Sequence, residues 1–216
     1  MTAPAQAIRL EPVSAAIDAF QAGRPVLVVD DENRENEGDI IFAAQHSTPA
    51  LMGWTIRHSS GVVCVPMDGA TAERLALPPM VADNQDAKGT AYTVSCDLIG
   101  TGTGISATAR SRTVAALASA SSTAADFSRP GHIFPLRAVD GGVLARPGHT
   151  EAAVELCRLA GLAPVGVIAE VVHDDGEMMR LPALREFADE HGCPLISIED
   201  LSAYVAAQSG AQGGVR

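Results

Sequence analysis

Positive charge is in short supply. Fifteen lysines and arginines stand against 26 aspartates and glutamates in 216 residues, a formal net charge of −11. No lysine or arginine block interrupts that balance, which excludes nucleic acid or an anionic membrane as the main partner, since an acidic face repels both. Long apolar runs are missing too. None approaches the roughly 18 residues of a membrane span, and the opening "MTAPAQAIRLEP" has no basic stretch ahead of an apolar one, so the chain reads as soluble and cytoplasmic. Cysteine is sparse: Cys64, Cys96, Cys157 and Cys193 are scattered, without a Cys-x-x-Cys pair. Neither a zinc site nor a disulfide framework follows, and the four read as reduced core thiols. The phosphate-binding signatures Gly-x-Gly-x-x-Gly and Gly-Lys-Ser/Thr are absent as well. "GTGTGIS" matches neither and reads as a tight turn before a helix, with Arg110 and Arg112 as secondary anion contacts.

What is present suffices for a substantial core. With 47% hydrophobic residues, the length suits one large domain. We place that domain over residues 1–208 and leave the polar stretch 209–216 as a disordered tail. Helical spacing marks 14–23, with a stop at Gly23, and Ser47 or Thr48 opens a helix carrying Pro49 in its first turn. Further helices fit 70–77, the segment after the "TGTGIS" turn, 150–161, 181–192 and 199–208. Strand-like runs cover 25–30, 39–44, 61–67, 91–100, 164–172 and 194–198. Turn formers crowd 128–149, which reads as a long irregular segment. The alternation predicts an α/β (α+β) domain with helical layers on a mixed β-sheet.

Between two of the strand-like runs lies "DDENRENEGD", with Asp30, Asp31, Glu32, Glu35, Glu37 and Asp39 gathered around Arg34. A solvated loop explains most charge runs, but this one is followed at once by the buried-looking "IIF". In an extended chain Glu35, Glu37 and Asp39 share one face, where they repel unless a cation sits among them. A divalent metal is the economical answer. EF-hand register fails, because Asn36 and Phe42 occupy the places of its glycine and terminal glutamate.

A second unusual feature is "RPGH", which occurs at 129–132 and again at 146–149. Taken alone, either copy is an ordinary Pro-Gly turn. The second runs into "HTEAAVELC", so Arg146, Gly148 and Thr150 stand at a helix N-terminus, where free backbone N–H groups and the helix dipole favour an anion. Glu170 interrupts an apolar strand, and is there either as a rim residue or for function. For His46, His58, His173 and His191 surface or capping roles suffice.

"DDENRENEGD", "TGIS", "RPGHIFPLRA", "GGVLARPGHTEAAVELCRLAG" and "GVIAEVVHDDGEMMR" together resemble the 3,4-dihydroxy-2-butanone 4-phosphate synthase family of riboflavin biosynthesis, over about residues 10 to 207. The resemblance implies a three-layer α/β sandwich, usually a homodimer with active sites near the subunit interface. It implies a lyase that converts D-ribulose 5-phosphate to L-3,4-dihydroxy-2-butanone 4-phosphate and formate. Glu35 and His149 would ligate Mg²⁺, with Mn²⁺ a second admissible ion. Arg34, Glu35, Asp39, Arg146, Pro147, Gly148, His149, Thr150 and Glu170 would hold the sugar phosphate, while His132, Glu170 and Glu37 would serve turnover. Two departures stand out. Ala109 in "TGISATAR" replaces the family's usual aspartate, and Ser59 in "RHSSG" varies a neighbouring motif. The first supports an alternative, a divergent paralogue that binds a sugar phosphate or catalyses a related enolisation without releasing formate.

Overall fold

The computed structural model describes residues 8–212. In chain order the elements are α1 (Val13–Gln21), β1 (Val26–Val29), β2 (Gly38–Ala43), α2 (Pro49–His58), β3 (Cys64–Met67), α3 (Gly69–Arg74), β4 (Cys96–Leu98) and α4 (Ala107–Ala118). They continue with β5 (Phe127–Arg137), α5 (Gly142–Ala145), α6 (His149–Leu159), β6 (Gly166–Glu170), α7 (Leu181–His191), β7 (Leu195–Ser197) and α8 (Ile198–Gln212). One seven-stranded sheet has the order β4-β5-β3-β6-β2-β1-β7. It is mixed: β1 with β7 and β3 with β5 run parallel, whereas the β1–β2, β2–β6 and β4–β5 pairs are antiparallel.

The apolar strands explain the layering. A strand covered on both faces reads as a continuous hydrophobic run, and β1 and β2 are buried at every position. Successive residues then point to opposite cores. Leu27, Ile40, Phe42, Val65 and Val167 join Met52 of α2, Val114 of α4 and Leu184 of α7 on one side. Val26, Val28, Ile41, Cys64 and Ile168 meet Phe20 of α1, Ala153 of α6 and Leu201 of α8 on the other. The result is helix, sheet, helix: three layers.

Local signals set most boundaries. Gly23, at φ +71°, ends the turn after α1, and Thr48 caps α2 by accepting from the Leu51 N–H at 3.1 Å with Pro49 next in line. Asp68 accepts from Thr71 N–H at the start of α3, and Ser106 accepts from Ala109 N–H at the start of α4. Gly100, Gly102 and Gly104 all take positive φ in the turn that feeds α4, as the glycine spacing implies.

Three expectations need correction. The segment 128–149 is not irregular: its first part is the 11-residue strand β5. Its prolines and glycine mimic a turn, yet Gly131 is required because a Cβ there would lie 2.1 Å from the Cys96 carbonyl carbon of β4. The "RPGH" of 129–132 therefore belongs to a strand, and only the second copy is a turn. The strand expected over 91–100 shrinks to β4, with single bridges at Tyr92 and Thr93. Finally, α8 continues to Gln212, so residues 209–212 are helical where a disordered tail was expected; 213–216 lie outside the described residues.

Candidate active site

The site forms where three strands place carboxylates beside the start of α6. Val28, Asp39 and Glu170 are level across β1, β2 and β6, being paired at the Cα positions. Asp39 alternates with Ile40, and Glu170 lies two residues past Ile168, so both side chains face the α6 layer. Like charges opposite one another on a sheet face repel. One pocket collects Arg34, Glu35, Glu37, Asp39, Arg146, His149, Thr150 and Glu170, with Cys64, Tyr92, Leu136 and Ile168 as its apolar wall.

The acidic run is not extended before β2. Asn36 takes φ +55°, and residues 32–35 turn back, so Glu35 reaches the pocket through a turn rather than by strand alternation. Asp30, whose side chain is fully enclosed, holds that turn together. It accepts from Arg34 Nη1 at 3.0 Å and from the backbone N–H groups of Glu35 and Glu37 at 3.0 and 2.9 Å. Sequence reasoning gave Asp30 no role; its position at the end of an apolar strand, just before the turn, was the available signal.

His149 opens α6 and is 6% exposed. Its Nε2 lies 3.1 Å from the Val28 carbonyl oxygen, to which it donates, so Nδ1 is the nitrogen turned toward the acids and the one freed when the ring is neutral. Nδ1 is 3.8 Å from both Glu35 Oε2 and Asp39 Oδ1. Burial opposes charge on this ring, but Asp39, Glu35 and Asp30 outweigh it and raise its pKa to about 9. The nearby His149, against burial and together with Arg34, holds Glu35 down at about 2. Asp39 moves the other way: burial, then Glu170, Glu37 and Glu35, opposed by His149, push it up to about 7. Burial and the same carboxylates raise Glu37. Burial, with Glu170 and Asp39 near, also raises Cys64, which is a packed thiol rather than a nucleophile.

These groups suit a hard divalent cation. Donor atoms of Asp30, Glu35 and His149 lie within 4.8 Å of one another. Asp30 is fully enclosed and already accepts three hydrogen bonds that hold the turn, so Glu35 and His149 would be the freer ligands. Asp39 Oδ1 is buried without a hydrogen-bond partner among the described residues, an orphan that a cation or a ligand hydroxyl would satisfy. The Val28 carbonyl orients the histidine as second-sphere groups do at metal sites.

The anion side is built on α6. Gly148 is its N-cap, and a Cβ there would meet Arg146 Nη1 at 2.5 Å and Arg34 Nη2 at 2.9 Å, so two guanidinium groups converge over the helix start. Arg146 is fixed by Glu151, 1% exposed, through a 2.6 Å hydrogen bond, and donates to Thr90 Oγ1 at 3.2 Å. Lys88 donates from Nζ to the Arg34 carbonyl at 2.7 Å and closes the loop over this edge. It is the only lysine in the chain. Ser60 donates to Glu170 Oε2 at 2.6 Å. None of Thr90, Lys88, Glu151 or Ser60 was foreseen, since no local pattern sets them apart from ordinary loop and helix residues.

Three expected residues lie elsewhere. Pro147 does not line the pocket and contributes by fixing the turn before α6. His132 is on β5, outside the pocket, with its side chain 42% exposed and Nδ1 2.7 Å from Asp97 Oδ2. Arg110 does not face the pocket either; it donates to the Gly61 carbonyl at 2.9 Å, beneath α4.

Residues 14–204 match the family model described as 3,4-dihydroxy-2-butanone 4-phosphate synthase. The chain belongs to this family. It is an enzyme family, and its members resemble the chain in both sequence and fold. The riboflavin biosynthesis protein RibBA of Mycobacterium ulcerans is 57% identical over 196 residues, 89% of this chain and 46% of that protein. RibBA of Rhodococcus jostii is 56% identical over 199 residues, 91% and 48% respectively. The chain thus spans about half the length of these curated relatives. A crystal structure of a 3,4-dihydroxy-2-butanone 4-phosphate synthase in complex with two magnesium ions superposes with a TM-score of 0.90 at 44% identity, covering 93% of this chain and 99% of that one. The Candida albicans synthase structure gives 0.85 at 49% identity, covering 91% and 98%. Among the described residues no helix is long and apolar enough to cross a membrane, and all four cysteines are free and buried.

Proposed function

We propose that the protein is a Mg²⁺-dependent lyase, with Mn²⁺ as a substitute ion, acting in the cytoplasm in riboflavin biosynthesis. It converts D-ribulose 5-phosphate to L-3,4-dihydroxy-2-butanone 4-phosphate and formate. The observation that carries this reading is the convergence of Glu35, Glu37, Asp39, Glu170 and His149 on one pocket that also holds Arg34, Arg146 and Thr150.

The chain's residues divide the work. Thr150, the free N–H groups at the start of α6 and Arg146 grip the phosphate, and Arg34 binds polar groups of the sugar. A bound divalent ion supplies Lewis-acid stabilisation of negative charge on the sugar oxygens. Enolisation needs a base beside the ketone; Asp39, pushed up to about 7, can hold a proton near neutrality and return it later, and Glu37, also raised by burial and neighbouring carboxylates, lies beside it. Glu170, steadied by Ser60, is the opposite carboxylate for the second proton movement. Five carbons leave as a four-carbon phosphate and formate, so atoms balance without an oxidant or reductant.

His132 enters this chemistry only if a second copy brings it to the pocket. Val62, Ile99 and Ile105 are exposed apolar residues. Ile105 follows Gly104, whose Cβ would sit 2.9 Å from His132 Nδ1, so apolar surface adjoins this histidine. We therefore read the enzyme as a homodimer that completes each site with the other copy's His132. Mixing inactive Glu35→Gln with inactive His132→Ala should restore part of the activity after subunit exchange. No recovery, with exchange verified, refutes the shared site.

The primary test is purified protein with ribulose 5-phosphate and Mg²⁺, assayed for formate. Formate release establishes the lyase. Sugar-phosphate binding without formate favours the divergent paralogue suggested by Ala109.

A further inference from the structure

On the sheet face opposite the acidic pocket, α2 and α7 meet along a stack of four rings. His58 and His191 have centroids 5.0 Å apart, and each lies against Trp54 at 5.5 and 5.3 Å and against Phe187 at 5.4 and 4.2 Å. An open cavity beside them is lined by His58, His173, Asp174, Asp175, Glu190 and His191. Neither His58 nor His191 makes a side-chain hydrogen bond to a described residue, and the proposed lyase chemistry uses none of these groups.

We propose that His58 and His191 form the nitrogen half of a second metal site, selective for a late first-row divalent ion such as Zn²⁺ or Cu²⁺ and completed by exposed carboxylates of the cavity. The spacing supports it. With metal–nitrogen bonds of about 2.0–2.1 Å and ring centroids about 1.1 Å further out, two imidazoles on one ion at angles of about 90–109° have centroids roughly 4.5–5.2 Å apart. The observed 5.0 Å falls inside that range. Imidazole nitrogen favours late transition ions, whereas Mg²⁺ prefers all-oxygen sites, so the two cavities would sort ions by donor type. Burial and then His191 lower the pKa of His58, which keeps it neutral and able to bind a metal, while Asp174 and Glu190 are close enough to act on its charge. No third donor is already in place, because the one group of three donors within 4.8 Å among the described residues is that of the acidic pocket. Glu190, next to His191, or Asp174 must swing inward, and both are exposed.

Trp54 is the only tryptophan in the chain, which makes the site directly readable. With Mg²⁺ saturating and pH fixed, one equivalent of Cu²⁺ should reduce Trp54 emission by at least half, EDTA should restore it, and Zn²⁺ should block the quenching. His58→Gln and His191→Gln should each raise the Cu²⁺ concentration at half-quenching at least tenfold, whereas Glu35→Gln should leave it unchanged. If the ring variants fail to fold, Glu190→Gln combined with Asp174→Asn removes both completing carboxylates at the exposed cavity rim and should raise it at least threefold. An unchanged midpoint in these variants, or a shift in Glu35→Gln, overturns the assignment.

Discussion

Asp39 sits at the sharpest electrostatic conflict in the molecule. It is buried, faces Glu170 across the sheet, and has one oxygen without a hydrogen-bond partner among the described residues. Its folded pKa, about 7, lies above the ordinary aspartate value, so the neutral form suits the fold. Stability from this group is fully present below about pH 4 and is lost as pH rises through about 7. His149, raised to about 9, adds stability that is present below about pH 6.5 and fades as pH climbs through 9. In metal-free protein, Asp39→Asn should therefore raise the melting temperature by a few degrees at pH 8, about 1 kcal/mol or more, and by much less at pH 5. An equal gain at both pH values in calorimetry would dismiss the electrostatic cause. Glu35→Gln and His149→Ala should each lower the Mg²⁺-dependent formate rate by at least about a hundredfold, with calorimetry showing weakened metal binding. The acidic run revealed these residues because charges packed against apolar strands demand a partner. Asp30 and Glu151 stayed hidden: their task is to hold other side chains, and supporting carboxylates carry no sequence mark of their own.

At the scale of elements, α6 is where the helix start becomes a binding surface. A Cβ on Gly148 would displace Arg146 and Arg34 at their flexible ends, so Gly148→Ala should keep the fold by circular dichroism while raising KM for the sugar phosphate about tenfold. The start of α4 bears on the missing aspartate. Ala109 is buried and is the third residue of α4 after the Ser106 cap, the position where an acid reaches back to complete a capping box. Because Ser106 already accepts from Ala109 N–H, the helix begins without it. Ala109→Asp should change kcat/KM by less than about tenfold, or about 1.4 kcal/mol; rescue of a silent wild type by orders of magnitude would instead mark loss of the lyase activity. Helices were legible from spacing and caps, whereas β5 was not. Proline and glycine in it answer the close approach of β4, a tertiary constraint that local propensity cannot express.

Over the whole molecule, a sheet buried on both faces leaves Asp39 little water to turn to, which would tie folding to the proposed cation. With Mg²⁺ at about 100 times its dissociation constant, binding should add about 2.7 kcal/mol, so thermal denaturation should begin roughly 5–10 °C higher than after EDTA. Glu35→Gln should abolish that gap. The two-sided core was legible from the continuous apolar runs, but the level alignment of Val28, Asp39 and Glu170 was not, because register is set by strand pairing between distant segments. A different use follows from Lys88, which donates to the Arg34 carbonyl and whose own carbonyl faces Arg146. In a chain with a single lysine, amine-reactive reagents under mildly alkaline conditions find one side-chain target, and it lies on the loop edge of the pocket. A dye placed there would report opening of that loop directly, with no engineered residue, and its modification rate with and without a bound sugar phosphate becomes a clock for how often the edge lifts.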